Sequence, residues 1–296
     1  MRRRLYLVDA SLQVFRAWHA LPAEQFLDAD GLPVNAVHGF ARFLLQLLEQ
    51  EQPCHIALAF DHALGSSFRN ALYPAYKANR ALAPESLKRQ FILCQAFAVE
   101  LGIAVLADVR YEADDLIGSL LLRQRERGFA AVVVSADKDL SQLLGPGDLQ
   151  WDFARGQRWQ ASEVKSRYGV HPWQLADFLG LTGDASDNIP GVPGIGATTA
   201  SALLEQFDSL DGLLARVDEV PFLRLRGAGS HARRLREHAD LARLSRQLAT
   251  IACNAPLAPD PGEAERGSGN AAALRDLMDY LRLGPMTRRR ALQQVS

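Results

Sequence analysis

Nine acidic residues of this chain fall in short clusters where strands or loops are predicted to end. They are Asp9, Asp61, Glu112, Asp114, Asp115, Asp137, Asp139, Asp184 and Asp187. Carboxylates repel one another and resist burial unless a positive group lies between them. If these segments converge in the fold, two divalent metal ions would neutralise them, and hard oxygen ligands suit Mg²⁺ or Mn²⁺. Two such ions held close together form a phosphodiester-cleaving site.

The charge balance also bears on the substrate. The net charge of −1 over 296 residues by itself argues against a nucleic-acid-binding protein. Without the nine clustered acids, 25 acidic residues remain against 33 basic ones, an excess of eight positive charges. A metal-loaded acidic centre in a basic surface would suit a polyanionic substrate. On composition alone, a mixed-charge soluble surface is the alternative.

A glycine-rich turn follows the last acidic pair and leads into a predicted helix. Such a turn presents free backbone N–H groups to phosphate, which binds nucleic acid without regard to sequence. Two apolar residues inside the turn are typical of a helix-hairpin-helix DNA-binding element, and an ordinary glycine turn between helices is the alternative. The residues of interest are Gly191, Val192, Gly194, Ile195, Gly196 and Thr198.

Residues 66–90 interleave aromatic and basic side chains, including Tyr76, Lys77 and Arg80. Such a stretch suits stacking on unpaired nucleotides and contact with their phosphates, although a solvated basic helix has the same composition. The Asp137-Lys138-Asp139 run resembles many Asp-x-Asp metal sites, including those of phosphotransferases. In those enzymes, however, the motif follows the first strand of the domain.

Short apolar runs alternate with helical patterns over the first half of the chain. The pattern predicts strands at 5–8, 55–60, 103–106 and 131–135, with helices at 35–50, 85–101 and 113–127. This alternation indicates an α/β fold with a mainly parallel central sheet flanked by helices. Ligands bind such sheets at the carboxyl ends of the strands, where Asp9, Asp61 and Asp137 all fall. A single aspartate there could be a helix cap, but three favour a shared site.

The character of the sequence changes beyond residue 170. Short helices are predicted at 173–180, 198–207, 209–215, 230–239 and 241–250, which indicates a helical lobe. Residues 255–270 are rich in proline, glycine and charge, so they are predicted to be a mobile linker. A last helix is predicted over about 271–293.

Taken together, these motifs closely resemble the 5′-nuclease (flap endonuclease) family. The resemblance is strongest to the N-terminal 5′→3′ exonuclease domain of bacterial DNA polymerase I, and it covers nearly the whole chain. It rests on ordered matches at Val8-Asp9, Ala59 to Asp61, Tyr76 to Arg80, Tyr111 to Asp115, Ala136 to Leu140, Gly183 to Gly196, Ser245 to Ile251 and Leu274 to Arg290.

The resemblance implies a PIN-like or resolvase-like α/β nuclease domain over 1–170, with a helical arch at about 64–90. A helical DNA-binding lobe would follow over 171–257, with the glycine hairpin at 182–207, and then a linker and terminal helix over 258–296. The family often has Lys or Arg just after the Gly-x-Gly, where this chain has Thr198, so one phosphate contact is expected to be missing while the backbone N–H groups remain. The chain stops at Ser296, so we expect a free-standing nuclease or an isolated domain.

The resemblance also implies roles for individual residues. Asp9, Asp61, Glu112, Asp114, Asp115, Asp137 and Asp139 would hold one metal, and Asp184 and Asp187 would complete the second site. Asp115 and Asp139 are expected to be essential for cleavage. Lys77 and Arg80 would stabilise charge on the scissile phosphate, and Tyr76 would stack on a base. The hairpin, from Gly191 and Val192 through Gly194, Ile195 and Gly196 to Thr198, would hold duplex DNA and bind K⁺ through main-chain carbonyls.

We therefore expect a metal-dependent 5′→3′ exonuclease and flap endonuclease. Expected partners are DNA with a 5′ flap, nick or gap, and RNA primer–DNA hybrids. Three separate cysteines and the lack of a membrane segment predict a cytoplasmic protein with no membrane partner. We also expect a monomer. A non-catalytic binder of branched DNA and an Asp-x-Asp phosphotransferase are the alternatives. The intact acidic set disfavours the first, and the second leaves the glycine hairpin and basic stretch unexplained.

Overall fold

The computed structural model describes residues 3–62, 67–258 and 260–295. The strands in these ranges are β1 (Arg3–Asp9), β2 (Ile56–Asp61), β3 (Ala104–Asp108), β4 (Phe129–Val134), β5 (Leu149–Asp152) and β6 (Gln157–Gln160). The helices are α1 (Ala10–Ala20), α2 (Asn35–Glu51), α3 (Phe68–Leu72), α4 (Glu85–Glu100), α5 (Ala113–Glu126), α6 (Ala161–Tyr168), α7 (Leu175–Thr182), α8 (Ala197–Phe207), α9 (Leu210–Ala215), α10 (Ala228–Glu237), α11 (Ala239–Ala249), α12 (Ala271–Tyr280) and α13 (Pro285–Leu292).

The chain forms two compact units, each assembled from separated stretches of sequence. The first comprises Met1–Leu64, Leu82–Ser135 and Ala252–Ser296, and the second comprises Gly65–Ala81 and Ala136–Ile251. The domain division at 170 and 257 stays a prediction. The first residues of the predicted arch, 64–66, lie outside the described ranges.

The first unit is built on parallel strands in the order β3-β2-β1-β4. Strand β4 is buried along its whole length, as its continuous apolar sequence requires of a strand covered on both faces. Helix α5 packs on β1, β2 and β3, and α4 packs on β2 and β3. The predicted mainly parallel α/β fold is confirmed, and the strand ends lie where the sequence indicated.

The end of the first unit departs from the sequence prediction. The last helix, predicted over about 271–293, is two helices, because α12 ends at Tyr280 and α13 begins at Pro285. Arg282 takes a left-handed conformation (φ 51°), which ends the first helix. Pro285 lacks the N–H that an uninterrupted helix would need, but it suits the first turn of a new one.

The stretch predicted to be a mobile linker is hydrogen-bonded to the rest of the first unit. The Ile56 N–H donates to the carbonyl of Ala264, and the Arg266 N–H donates to that of Cys54. Two further backbone bonds follow, from Gly267 to Gly102 and from Asn270 to Glu100. The proline and glycine residues of this stretch therefore belong to an irregular segment that is held by backbone hydrogen bonds, and the predicted mobile linker is not found there.

The second unit combines short helices with a small hairpin. Strands β5 and β6 pair antiparallel, and α7 packs on both α8 and α11. The predicted helical lobe is confirmed, although β5 and β6 were not predicted because each has only four residues. No helix in the described part of the chain is long and apolar enough to span a membrane.

Candidate functional site

The first unit presents its acidic residues at neighbouring strand ends. Asp9 ends β1 and is 7% exposed. Its Oδ1 accepts the Leu12 N–H at 3.0 Å, which caps α1, and its Oδ2 accepts the Ser135 hydroxyl at 2.9 Å. These bonds orient the carboxylate at the carboxyl edge of the sheet.

Asp61 ends the neighbouring strand β2 and is tied to the start of α5. Its Oδ1 accepts the Ala113 N–H at 2.9 Å, while its own N–H donates to the Ser11 hydroxyl at 2.7 Å. The side chain therefore links the sheet edge to the helix that carries the next acidic cluster. This link brings the predicted residues of the first unit to one edge of the sheet.

Asp115, one of the expected metal ligands, makes its hydrogen bonds within the first unit. It is fully buried, with Oδ2 accepting the Glu112 N–H at 3.0 Å and Oδ1 accepting the Ala252 N–H at 2.8 Å. Both of its oxygens thus help to build the fold. Glu112 and Asp114 are partly exposed at the start of α5. A metal-binding role for Asp115 stays a prediction.

In the second unit, Asp137 and Asp139 lie at the start of a 3₁₀ helix (Lys138–Leu143). The Asp137 Oδ1 accepts the Asp139 N–H at 2.9 Å. Burial, followed by repulsion from Asp137, raises the pKa of Asp139 to about 8. Part of Asp137 is open to solvent. Even so, loss of hydration among the surrounding protein atoms and repulsion from Asp187 raise the pKa of Asp137 as well. The pair therefore resists carrying two negative charges.

The Oδ1 of Asp139 is buried and has no hydrogen-bond partner among the described residues. An oxygen in that position loses its hydration without compensation. A hard divalent cation would satisfy this oxygen and relieve the repulsion, so the donor set fits the predicted metal. In the described residues, no three His, Cys, Asp or Glu side chains group closely enough to hold a metal by themselves.

Lys138, between the two aspartates, contacts a third acidic residue of the predicted metal set, Asp184. Its Nζ lies 2.6 Å from Oδ2 of Asp184, whose Oδ1 accepts the N–H and hydroxyl of Ser186 at 2.8 and 2.6 Å. Burial would raise the pKa of Asp184, but these bonds outweigh it and hold the pKa below its usual value. The sequence reasoning did not assign Lys138, although its place between two acids was a visible signal.

Asp187 contacts residues 73–80, the basic segment, which follows α3. It pairs with Arg80 and, at 3.7 Å, with the Nζ of Lys77. Its carbonyl accepts the Lys77 N–H at 2.9 Å, and Asn188 donates to the carbonyl of Ala75 at 2.6 Å. The two predicted phosphate-contacting cations are therefore fixed beside the predicted second-metal carboxylates.

This basic segment is not the predicted helix. After the five-residue helix α3 it proceeds through consecutive turns, and Lys77 has a left-handed conformation (φ 54°). Lys77 and Arg80 thus meet at Asp187 rather than along a helical face. Arg69, which the prediction did not include, anchors the segment by donating to the carbonyls of Leu248 and Thr250.

Tyr76 is buried rather than available for base stacking. It is 3% exposed and packs with Leu179, Ile189 and Leu248, while its hydroxyl donates to Asp187 at 3.2 Å. Stacking on a base would require the ring to leave this cluster. In this structure Tyr76 instead supports the position of Lys77, whose Nζ lies 5.1 Å from the ring centre.

The glycine hairpin has a buried apolar anchor and an exposed tip. Val192 and Ile195 are 2% and 3% exposed, and Gly194 and Gly196 are open to solvent. Gly191 has φ 63°, and a Cβ there would lie 2.2 Å from the backbone nitrogen of Gly183. Only glycine fits this close approach.

Gly196 precedes α8, whose first turn has no side-chain cap. Thr198 lies exposed in that first turn. The N–H groups at the start of this helix thus have the arrangement that suits a phosphate.

Comparison with known proteins identifies the family. Residues 4–169 match the model of the 5′-3′ exonuclease N-terminal resolvase-like domain, and residues 170–271 match that of the 5′-3′ exonuclease C-terminal SAM fold. The chain belongs to the 5′-3′ exonuclease family. The family is one of 5′ nucleases, which are hydrolases of phosphodiester bonds.

Bacterial DNA polymerases I are similar to this chain in sequence. The Bacillus subtilis protein is 40% identical over 261 residues, which are 86% of this chain and 28% of the polymerase. The Bacillus caldotenax protein is 38% identical over 262 residues, which are 87% of this chain and 29% of the polymerase. The chain thus spans less than a third of the length of these relatives.

Solved structures of family members share the fold. Bacteriophage T5 5′-exonuclease with bound zinc ions superposes with a TM-score of 0.67 at 20% identity, covering 94% of this chain and all of the phage protein. The catalytic core of Rad2 in complex with DNA substrate superposes with a TM-score of 0.65 at 15% identity, covering all of this chain and 92% of Rad2. At these identities the likeness establishes the fold.

Proposed function

We propose that this 5′ nuclease is a metal-dependent, structure-specific enzyme that cuts branched or 5′-ended DNA by a two-metal-ion mechanism. The observation that carries the proposal is the Asp137–Asp139 pair, with its raised pKa values and its unpartnered Asp139 oxygen. This pair belongs to the same compact unit as the glycine hairpin and the basic segment. An acidic pair that would be stabilised by a cation is of use for hydrolysis, whereas binding alone would not require it. Its place in one unit with the hairpin and the basic segment, which suit phosphate, therefore favours phosphodiester hydrolysis over binding alone.

The nine carboxylates are the proposed metal ligands. Asp9, Asp61, Glu112, Asp114 and Asp115 are in the first unit, and Asp137, Asp139, Asp184 and Asp187 are in the second. All are hard oxygen donors, which favours Mg²⁺ or Mn²⁺. Ions held by these carboxylates would supply activation of the attacking water and charge stabilisation of the leaving oxygen.

Lys77 and Arg80 are the proposed electrostatic partners of the scissile phosphate. Asp187 holds both cations, so their positions are set before the substrate binds. Preorganised positive groups stabilise developing negative charge without reorganising during the reaction. Asp187 would thus position the cations as well as bind metal.

The hairpin is the proposed duplex-binding element. Its exposed tip offers backbone groups around Gly194, Gly196 and Thr198, which would contact phosphates irrespective of sequence. The buried Val192 and Ile195 would keep that tip in one shape. We also propose K⁺ binding by main-chain carbonyls of this hairpin.

The proposed substrates are 5′ flaps, nicked or gapped duplex DNA, and RNA primer–DNA hybrids, met in replication or repair. The T5 and Rad2 structures with DNA support a DNA substrate. We propose a monomer located in the cytoplasm, where the three free cysteines would stay reduced.

The proposal is tested by digesting a 5′-flap duplex and a blunt duplex side by side, with Mg²⁺, with Mn²⁺ and with EDTA. We expect cleavage near the branch of the flap substrate with either metal and none with EDTA. Binding of the flap without cleavage in either metal would support the non-catalytic alternative. Equal cutting of both substrates would contradict structure specificity.

A further inference from the structure

The glycine hairpin carries no positive side chain of its own. Residues 183–200 contain neither lysine nor arginine, and α8 contains none either. The charged residues of this stretch are Asp184 and Asp187, which would repel a phosphate backbone. A polyanion held at the hairpin tip therefore needs a cation supplied by another element.

Helix α10 supplies such a cation at the tip. The Nη1 of Arg234 donates to the carbonyl of Gly194 at 3.0 Å. A Cβ placed on Gly194 would lie 2.2 Å from the same Nη1, so the guanidinium lies directly against the exposed glycine. Gly194 and Arg234 belong to the same compact unit.

Arg234 differs from its neighbours on the helix in its charge partners. Arg233 lies 3.7 Å from Glu237, and Arg236 pairs with Asp218. In the described part of the chain no acidic side chain pairs with Arg234, which instead donates a hydrogen bond to the neutral carbonyl of Gly194. A guanidinium has five N–H donors, so this bond leaves donors for a second acceptor.

We infer that Arg234 is a phosphate-contacting residue of the hairpin, which holds the Gly194 carbonyl with one N–H and a DNA phosphate with others. This inference rests on the proposed DNA-binding function. A guanidinium forms paired hydrogen bonds with phosphate oxygens, and its charge persists at all physiological pH values. Arg234 thereby gives the hairpin the positive charge that its own sequence lacks.

The test measures binding of a 5′-flap duplex across a salt series, by fluorescence anisotropy, in the full chain carrying Asp139→Asn to prevent cleavage. Arg234→Ala should weaken binding about 10-fold and lower the slope of log affinity against log salt by about 1. Arg234→Lys should retain the slope, and Arg234→Gln, which keeps a donor but no charge, should lower it. Arg233→Ala is the matched control, and it should change affinity less than about 2-fold because Glu237 already offsets its charge.

Thermal unfolding of each variant separates contact with phosphate from support of the fold. An unchanged salt slope in Arg234→Ala, or an equal loss in Arg233→Ala, would overturn the inference while leaving the proposed function intact. A parent protein that does not bind the flap duplex would overturn both. If Arg234→Gln kept the parent's slope of log affinity against log salt, the charge of Arg234 would not contact phosphate. Arg234 would then only support the fold, which would also overturn the inference.

Discussion

At the scale of single residues, Asp139 combines a buried unpartnered oxygen with a nearby carboxylate. Ordinary aspartates in folded proteins either reach solvent or accept hydrogen bonds. Asp115, by contrast, has both oxygens bonded to backbone N–H groups and is satisfied within the fold. The two acids that were expected to be essential therefore differ: Asp139 has a buried oxygen with no hydrogen-bond partner among the described residues, whereas Asp115 joins two chain segments.

We predict that Asp139→Asn lowers the rate of flap cleavage by at least about 100-fold, because an amide is a weak ligand for a hard cation. Flap binding should stay within about 3-fold of the parent, since an ionised carboxylate has no donor for a phosphate oxygen. Single-turnover cleavage measures the rate, and fluorescence anisotropy measures the affinity for the flap. Asp240→Asn is the control, an exposed acid that pairs with Arg243 on the surface, and it should cut normally.

Lys77→Ala should slow single-turnover cleavage by about 100-fold, because a preorganised cation beside the reacting phosphate would be lost. The effect on flap affinity should be smaller, about 3-fold, since one of many phosphate contacts is removed. Lys165→Ala is the matched control, because Lys165 pairs with Glu205 on the surface. Equal rates for the Lys77 and Lys165 variants would exclude Lys77 from the chemistry.

At the scale of elements, the sequence predicted β1 to β4 but neither β5 and β6 nor the turns of the basic segment. Apolar runs specify β1 to β4 locally, and β1 and β2 end in the predicted Asp9 and Asp61. The turns from 73 to 80 depend on contacts with residues more than 100 positions away, such as Asn79 with Ala185 and Tyr76 with Leu248. No local pattern encodes such contacts, so the burial of Tyr76 could not be predicted.

The hairpin gives a matched pair of glycine substitutions. Gly191→Ala should lower the free energy of unfolding by about 2 kcal/mol, because a Cβ at φ 63° would strike the backbone of Gly183. Gly196→Ala should change it by less than about 0.5 kcal/mol, since φ is −97° and no atom lies within 4 Å of the added carbon. Urea unfolding of both variants gives the comparison, and equal losses would contradict the backbone argument.

In the first unit, Asp28 joins three elements. It is fully buried, pairs with Arg89 of α4 and accepts the N–H groups of Asp30 and Leu32, while Arg89 also donates to Tyr280 of α12. Burial alone would raise the pKa of Asp28, but these bonds hold it below its ordinary value. The network therefore fixes the terminal helix pair onto α4.

Asp28→Asn should lower the free energy of unfolding by about 2 kcal/mol at pH 7, because Arg89 loses its charged partner. A depressed pKa contributes stability above the unfolded value of about 4, and that contribution disappears as the pH falls through the folded value. The difference between parent and variant should thus shrink at acid pH. Urea unfolding at pH 7 and pH 3 measures it, with the exposed Asp276→Asn as control; a constant difference would refute the charge argument.

At the scale of the whole molecule, the repulsion between acidic residues predicts that stability depends on divalent ions. In the second unit Asp137 and Asp139 resist ionising together, and Asp187 adds repulsion to both. A cation that binds only the folded chain stabilises it by mass action, by about 2.7 kcal/mol at a hundred times its dissociation constant. For a chain of this size, that free energy corresponds to an increase in melting temperature of several degrees.

We therefore expect Mg²⁺ or Mn²⁺ to raise the melting temperature of the parent by about 5 °C, measured without DNA by calorimetry. Asp139→Asn removes one of the repelling charges, so it should melt no lower than the parent in EDTA and gain less from metal. Asp240→Asn should respond to metal as the parent does, since its carboxylate is exposed and paired with Arg243. If metal raised the melting temperature of the parent and of Asp139→Asn equally, the Asp137–Asp139 pair would make no contribution to metal binding. The stabilising ions would then bind at another place in the protein.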